Sequence, residues 1–133
     1  MDRHDLVTEL RDLREQVPGI TGTLVAASDG LLVAADLDSG ADQGVDPEPL
    51  AAIAAASLGI ARRFVGLTRQ GTLGRAVTHA SRGHVAVYAV GDVAVLAVLG
   101  DEDLDVDRLN QKSQLTLGRI GIILADQKRQ VGA

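Results

Sequence analysis

The chain has 133 residues, a hydrophobic fraction of 46% and a formal net charge of −5 at pH 7. This length allows one domain with one core, and the composition favours a globular fold over disorder. The absence of cysteine excludes disulfides, thiolate metal sites and a cysteine nucleophile. We predict one domain over 1–133, with its core within 6–124 and flexible ends at 1–4 and 129–133. Since we find no signal peptide and no uninterrupted apolar run of membrane length, we expect a cytoplasmic protein without membrane insertion.

The first third of the chain predicts a helix followed by a β-hairpin. The helix carries one apolar stripe at helical spacing, and Pro18 ends it. The stripe consists of Leu6, Leu10, Leu13 and Val17. Two β-type runs, 20–27 and 31–36, are joined by 28–30, where an Asp-Gly pair favours a tight hairpin turn. The polar, acidic stretch 37–45 is predicted to be a loop.

The middle helix, over about 50–65, is apolar on almost every side. Asp46 can cap its start, and Pro47 and Glu48 suit its first turn. A helix that is apolar all round must be covered on more than one side. One sheet covers only one face of it, so the other face needs another helix or another chain.

The remainder predicts three strands and a last helix. The run 72–80 alternates and carries Arg75 on a partly apolar face, which is typical of an edge strand. The run 84–90 follows, and 93–99 is apolar on both faces, as in a central strand. The last helix begins in the acidic run 101–107, and we expect its two glycines, at 118 and 121, to permit close packing on the sheet. The predicted order is therefore α-β-β-α-β-β-β-α, an α+β fold.

Catalytic and ligand-binding motifs are missing from the sequence. His79 and His84 flank one predicted turn, but two histidines without a nearby carboxylate or thiol make a poor metal site. Ser57 lies mid-helix, outside any nucleophile elbow. No phosphate-binding glycine loop or calcium loop is present. We therefore predict no enzyme, no metal and no cofactor.

The charges are distributed unevenly. No Asp or Glu occurs between Pro49 and Gly91, a stretch that contains five arginines: Arg62, Arg63, Arg69, Arg75 and Arg82. These arginines either pair with the acidic residues of the loop region, namely Asp36, Asp38, Asp42, Asp46 and Glu48, or form a basic face for an acidic partner. Scarce lysine, few aromatic residues and a negative net charge argue against nucleic-acid binding.

Several segments resemble the roadblock/dynein light-chain family. They are 17–22, the turn at 28–31, the alanine-rich run 50–56 and the two strands within 85–98 around Gly91-Asp92. The resemblance extends over about 6–124, and the alanine-rich, cysteine-free style is most similar to actinomycete-type members. It implies a profilin-like domain: a five-stranded antiparallel sheet with the middle helix on one face and the terminal helices on the other.

The resemblance also implies a function. Family members are homodimers in which the middle helices pack together and the third strands meet edge to edge. Bacterial members work beside small Ras-like GTPases, and some accompany a sensor-kinase-like protein. The expected dimer interface comprises Leu50, Ile53, Ala54, Ser57, Leu58, Ala61, Phe64, Leu73, Arg75 and Val77. Further partner contacts are expected at Arg62, Arg63 and Arg69.

Three functional hypotheses remain open from the sequence. The first is a homodimeric regulator or scaffold for a Ras-like GTPase. The second is a small-molecule sensor of the PAS or GAF kind, which the shortage of aromatic and pocket-lining polar residues disfavours. The third is a structural adaptor for a kinase-like protein, which needs the same fold as the first.

Overall fold

A computed structural model describes residues 3–37 and 45–132, including the side chains up to residue 127. The helices and strands follow the predicted order, which is confirmed. They are α1 (Arg3–Gln16), β1 (Ile20–Ala27), β2 (Leu32–Leu37), α2 (Pro47–Leu67), β3 (Arg75–Ala80), β4 (Gly83–Val90), β5 (Ala94–Asp101) and α3 (Val106–Gly132).

The five strands form one antiparallel sheet in the order β2-β1-β5-β4-β3. The predicted central strand, β5, pairs with both β1 and β4 along its length. The predicted edge strand, β3, pairs with β4 on one side, and β2 forms the opposite edge. Within the part of the chain that the structure describes, the sheet therefore ends in two edges, at β2 and at β3.

Apolar side chains are buried on both faces of the sheet. The larger cluster packs α1 and α3 against one face, with Leu10, Leu96 and Leu109 fully buried. The smaller cluster packs α2 against the other face through short side chains such as Ala51 and Ala54. The expected placement of the middle helix opposite the terminal helices is thus confirmed.

Polar contacts hold α1 and α3 on their side of the sheet. Arg14 of α1 donates to Asp36 of β2 at 2.6 Å, and Arg119 of α3 lies 3.6 Å from a carboxylate oxygen of Glu9 on α1. The Tyr88 hydroxyl on β4 donates to Asn110 on α3 at 2.6 Å. The position of α3 beside β4 is consequently fixed by a partly buried hydrogen bond as well as by apolar packing.

The last helix begins at Val106, inside the acidic run 101–107 as predicted, and the first part of that run forms a turn. Asp101 ends β5, and its side chain accepts from the backbone N–H of Asp103, so the acidic run forms a turn before the helix begins. Asp105 then caps α3 by accepting from the N–H of Arg108. The reason is that carboxylates close to a chain reversal bind free backbone N–H groups before any helix is established.

The expected packing role of the α3 glycines is wrong. A Cβ added at Gly118 would meet nothing within 4 Å, and one added at Gly121 would meet Val90 at an ordinary 3.9 Å. No close approach to the sheet requires a glycine at either position. Each one therefore lowers helix stability by about 1 kcal/mol relative to alanine with no compensating contact of the kind expected.

The middle helix begins at Pro47, as the predicted Asp46 cap implies, and ends two residues beyond the predicted Val65. It runs over 21 residues, Pro47–Leu67, which by length and composition is enough to cross a bilayer. The sequence prediction counted uninterrupted apolar residues, whereas the whole helix has only three charged residues, Glu48, Arg62 and Arg63. Three of its side chains are buried against the sheet: Ala51, Ala54 and Leu58. We therefore interpret α2 as a helix of the folded domain with one uncovered face.

Burial raises the pKa of Tyr88, while the Ser113 hydroxyl and the Arg75 charge act in the opposite direction. We expect this phenol to titrate above its ordinary pKa in the folded protein. An unfolded chain loses the phenolic proton near pH 10, so stability from this group is complete below that pH and falls as the pH rises through and above it. Tyr88 is the single tyrosine and tryptophan is absent, so phenolate absorbance measured during an alkaline titration reports this group alone.

The matched variant is Tyr88→Phe. It should lose about 1 kcal/mol of unfolding free energy at neutral pH because the hydrogen bond to Asn110 is removed. It should lack the alkaline decline that comes from the phenol. A phenol of the folded protein that titrates at or below its ordinary pKa would contradict the burial described here.

Candidate dimerisation surface

The two faces of α2 differ in the size of their apolar side chains. Towards the sheet it presents Ala51, Ala54 and Leu58 at spacings of three and four, so the helix lies close to the strands. Away from the sheet it presents large apolar side chains that are mostly exposed: Ile53 at 63%, Ile60 at 70%, Phe64 at 68% and Leu67 at 73%. Four large apolar groups along one helix make an uncovered surface of the kind that marks an interaction site.

Both ends of α2 are fixed. Asp46 has extended backbone geometry and its side chain accepts from the N–H of Glu48, which caps the helix start. At the other end, the Thr68 N–H and hydroxyl both donate to the Phe64 carbonyl. Near the start, Gly30 of the β1–β2 turn has a φ of +95° and lies so close to Ala52 that a Cβ would meet its backbone at 3.3 Å. The exposed face of α2 is therefore presented in a defined orientation.

The β2 edge is blocked. Val25 pairs with Ala34 and Ala26 with Leu32, so Val33 is an extra, bulged residue in the ladder. The Arg3 side chain donates to the Val33 carbonyl at 3.2 Å. Both a bulge and a side chain bound to an edge carbonyl oppose pairing with a further strand.

The β3 edge is regular by contrast. Its six residues pair with β4 without a register shift, and the Ala89 N–H donates to the Gly74 carbonyl at 3.0 Å. In an antiparallel ladder the backbone groups of successive residues point alternately to the two sides. The N–H and C=O groups of Arg75, Val77 and His79 consequently point away from β4, towards the open edge.

The residues predicted for the dimer interface lie in three places. Ile53, Ser57 and Phe64 are on the exposed face of α2, Leu50 and Ala61 are half-buried, and Ala54 and Leu58 pack on the sheet of their own chain. On the strand side, Leu73 packs with the α2 cluster. Arg75 is exposed and Val77 packs beside the α1–α3 cluster. The α2 helix also contacts β3, so its exposed stripe and the β3 edge belong to adjacent elements.

Two interface candidates and one edge residue escaped the sequence prediction. Ile60 and Leu67 were left off the interface, although they continue the exposed stripe of α2. Arg3 was assigned to a flexible end, whereas it begins α1 and binds the β2 bulge. The contrast between a stripe of small residues and a stripe of large ones was the available signal for α2. No pattern in the sequence marks the bulge.

The five arginines of the middle segment do not pair with the loop acids in the described residues. Arg62 donates to the Gly91 carbonyl at 2.9 Å, while Asp36 is bound by Arg14. The other four, Arg63, Arg69, Arg75 and Arg82, are exposed. Asp38 and Asp42 lie outside the described residues. What the structure describes therefore favours the second interpretation, a basic surface open to a partner.

The histidines and the apolar cavity beneath α3 offer little for binding a small ligand. The rings of His79 and His84 meet edge to face at 5.0 Å, and the His84 Nδ1 lies 2.9 Å from the Asp101 carbonyl oxygen. Among residues 3–37 and 45–127, no three histidine or acidic side chains cluster as metal ligands. A cavity of about 300 Å³ beneath α3 is lined by residues without polar side chains: Ala27, Val33, Val93, Ala94, Gly121, Leu124 and Ala125. Such a lining has no side chain to orient a polar metabolite.

The family model for the Roadblock/LC7 domain matches residues 6–100. Because that match covers more than half of the chain, the protein belongs to the Roadblock/LC7 family, as the resemblance indicated. No curated protein matches the chain.

Solved structures share this fold at low sequence identity. A Roadblock/LC7 domain from Streptomyces avermitilis superposes with a TM-score of 0.75 at 21% identity, covering 89% of this chain and 96% of that one. The gliding protein MglB from Thermus thermophilus gives 0.83 at 15% identity, with coverages of 93% and 91%. A structure of MglB with a tetrameric arrangement gives 0.84 at 15% identity, with coverages of 93% and 90%. Identities this low show a common fold.

Proposed function

We propose that this protein is a non-catalytic, homodimeric regulator or scaffold that binds a Ras-like small GTPase. The observation that carries the proposal is the exposed apolar stripe of α2 lying beside the regular β3 edge. The stripe is an apolar surface whose exposure to water is unfavourable, and the β3 edge carries a row of backbone N–H and C=O groups that can pair with another strand. A second copy related by a two-fold axis covers both features in one contact, because its α2 stripe packs on the first α2 stripe and its β3 edge pairs with the first β3 edge. Family membership supports the GTPase as partner, since its bacterial members are expected to work beside such proteins.

The proposed dimer continues the sheet through β3. Two copies related by a two-fold axis normal to the sheet place both α2 helices on one side and both α3 helices on the other. Directly opposite residues in an antiparallel pair share a face of the sheet. Arg75, Val77 and His79 face the α3 side. In the partner, each of them must therefore lie opposite one of the same three residues or opposite another residue whose side chain faces the α3 side. The stripe of α2 then packs on the partner's α2.

The dimer prediction is tested with a matched pair of substitutions. Ile53 on α2 and Ile122 on α3 are exposed to almost the same extent, 63% and 64%. Ile53→Asp should dissociate the dimer, since an unpaired carboxylate in an apolar interface costs several kcal/mol. Ile122→Asp should leave it intact. Light scattering over a concentration series should give a mass near twice 13.8 kDa for the parent chain and Ile122→Asp, and near 13.8 kDa for Ile53→Asp.

Circular dichroism separates dissociation from unfolding in the same experiment. Ile53 is solvent-exposed in the single chain, so its replacement by Asp should leave the secondary structure of the monomer in place. A stable Ile53→Asp dimer would place the interface elsewhere. A parent chain that stays monomeric but inserts into lipid vesicles would assign the exposed face of α2 to a membrane.

The GTPase prediction needs a binding measurement in both nucleotide states. Ras-like GTPases from the same genome, loaded with GDP or with a non-hydrolysable GTP analogue, are titrated with the dimer in a calorimeter. We expect at least one of them to bind with an affinity that depends on the nucleotide, and the Ile53→Asp monomer to bind it more weakly because half of the dimeric surface is missing. Absence of binding in either nucleotide state by every such GTPase would remove the GTPase from the proposal and favour the adaptor for a kinase-like protein.

A further inference from the structure

The α3 side of the β3 edge is a second open surface, separate from the face of α2. Asn110, Gln114 and Leu117 recur at spacings of four and three and share one flank of α3. This flank faces β4, because Asn110 accepts from Tyr88, and β3 is the next strand beyond β4, with Arg75 opposite Tyr88. The strand side of the same surface consists of Arg75, Val77 and His79.

The strands and the middle of α3 that form this surface carry no carboxylate, although the protein as a whole is acidic, and the nearest one along this flank is Asp107, one turn before Asn110. The sequences of β3 and β4 and the α3 segment 110–121 contain no Asp or Glu. Arg75 is exposed and forms no ion pair within the described residues, and the residue opposite it on β4 is the neutral Tyr88. A cation that no internal acid neutralises is available to an external one.

Dimerisation doubles this surface. Pairing of β3 with its equivalent brings two copies of Arg75, Val77 and His79 together on the α3 side, because residues that oppose each other share a face of the sheet. The two α3 helices stand on either side of the paired strands. The result is a trough with two valines at its floor, cationic or titratable groups beside them, and neutral walls that include Asn110 and Gln114.

We propose that this trough binds an acidic segment of a partner protein. The inference rests on the proposed homodimer. Carboxylates of the segment pair with the two Arg75 guanidinium groups, which hold a carboxylate with two parallel hydrogen bonds. An apolar side chain of the segment covers the Val77 pair. The dimer thereby offers a docking face between the α3 helices that is separate from the α2 contact between the two copies, as a scaffold requires.

The test uses a short fluorescein-labelled peptide of glutamate, leucine and alanine, and the same peptide with glutamine in place of glutamate. Fluorescence anisotropy with the full-length dimer should show saturable binding of the glutamate peptide and weak binding of the glutamine peptide. Arg75→Glu should weaken the binding of the glutamate peptide by about tenfold or more, since it reverses the charge that pairs with the peptide carboxylates. Arg75→Gln should weaken it less. Arg11→Glu, an identical charge change on the exposed side of α1, should have little effect.

Three outcomes would overturn the inference. The first is no binding of the glutamate peptide to a protein whose light scattering gives the mass of a dimer, and the second is an equal loss of affinity in Arg11→Glu. The third is a single-stranded oligonucleotide that binds as tightly as the peptide and competes with it for Arg75. The last would assign the trough to phosphates. Light scattering on the same samples keeps the two proposals apart, because a monomeric parent chain contradicts the dimer, whereas a dimer without peptide binding contradicts only the acidic segment.

Discussion

A helix with two apolar faces and only one sheet to cover them is the constraint on which the rest of the structure depends. The α2 helix uses its small residues, Ala51 and Ala54, to approach the sheet, and leaves Ile53, Ile60 and Phe64 in water. Exposing large apolar side chains in a row is unfavourable, and each of them gains about 1.5–3 kcal/mol when fully buried. A second copy provides an equally apolar surface without any change in the fold of the chain. The capped ends of α2 and the close Gly30–Ala52 contact hold this face in place before any partner arrives.

The two sheet edges direct where that partner lies. At β2, the Val33 bulge and the Arg3 hydrogen bond prevent a regular ladder, whereas β3 keeps an uninterrupted register. An edge blocked on one side and open on the other limits assembly through the sheet to a pair, since each copy can pair only once. The exposed stripe of α2 and the open edge are neighbours, so one contact covers both. In the proposed dimer the α3 side of the same junction stays open and carries Arg75, which leaves a surface for a second partner.

Much of this could be predicted from the sequence, because it depends on local patterns. The Asp-Gly turn, the alternation around Arg75 and the two-sided apolar run of β5 determine the order of the elements and the identity of one edge. Which stripe of α2 faces the sheet was not predicted, because the apolar period is the same on every face of such a helix and only the contrast between small and large side chains distinguishes the two stripes. Ala54 and Leu58 were accordingly assigned to the interface, although they pack on the sheet of their own chain. The Val33 bulge was also beyond prediction, since it depends on the pairing register of β1 with β2 and on Arg3 from a different element.

The central claim is that β3, and not β2, pairs with a second copy. Hydrogen–deuterium exchange of backbone amides, measured over a range of protein concentrations, tests it most directly. The open-edge amides of Arg75, Val77 and His79 should become more protected as the concentration rises, while exchange in β2 around Val33 stays constant. Open-edge β3 amides that exchange as fast in the dimer as in the Ile53→Asp monomer would contradict this account, as would protection on dimerisation confined to β2.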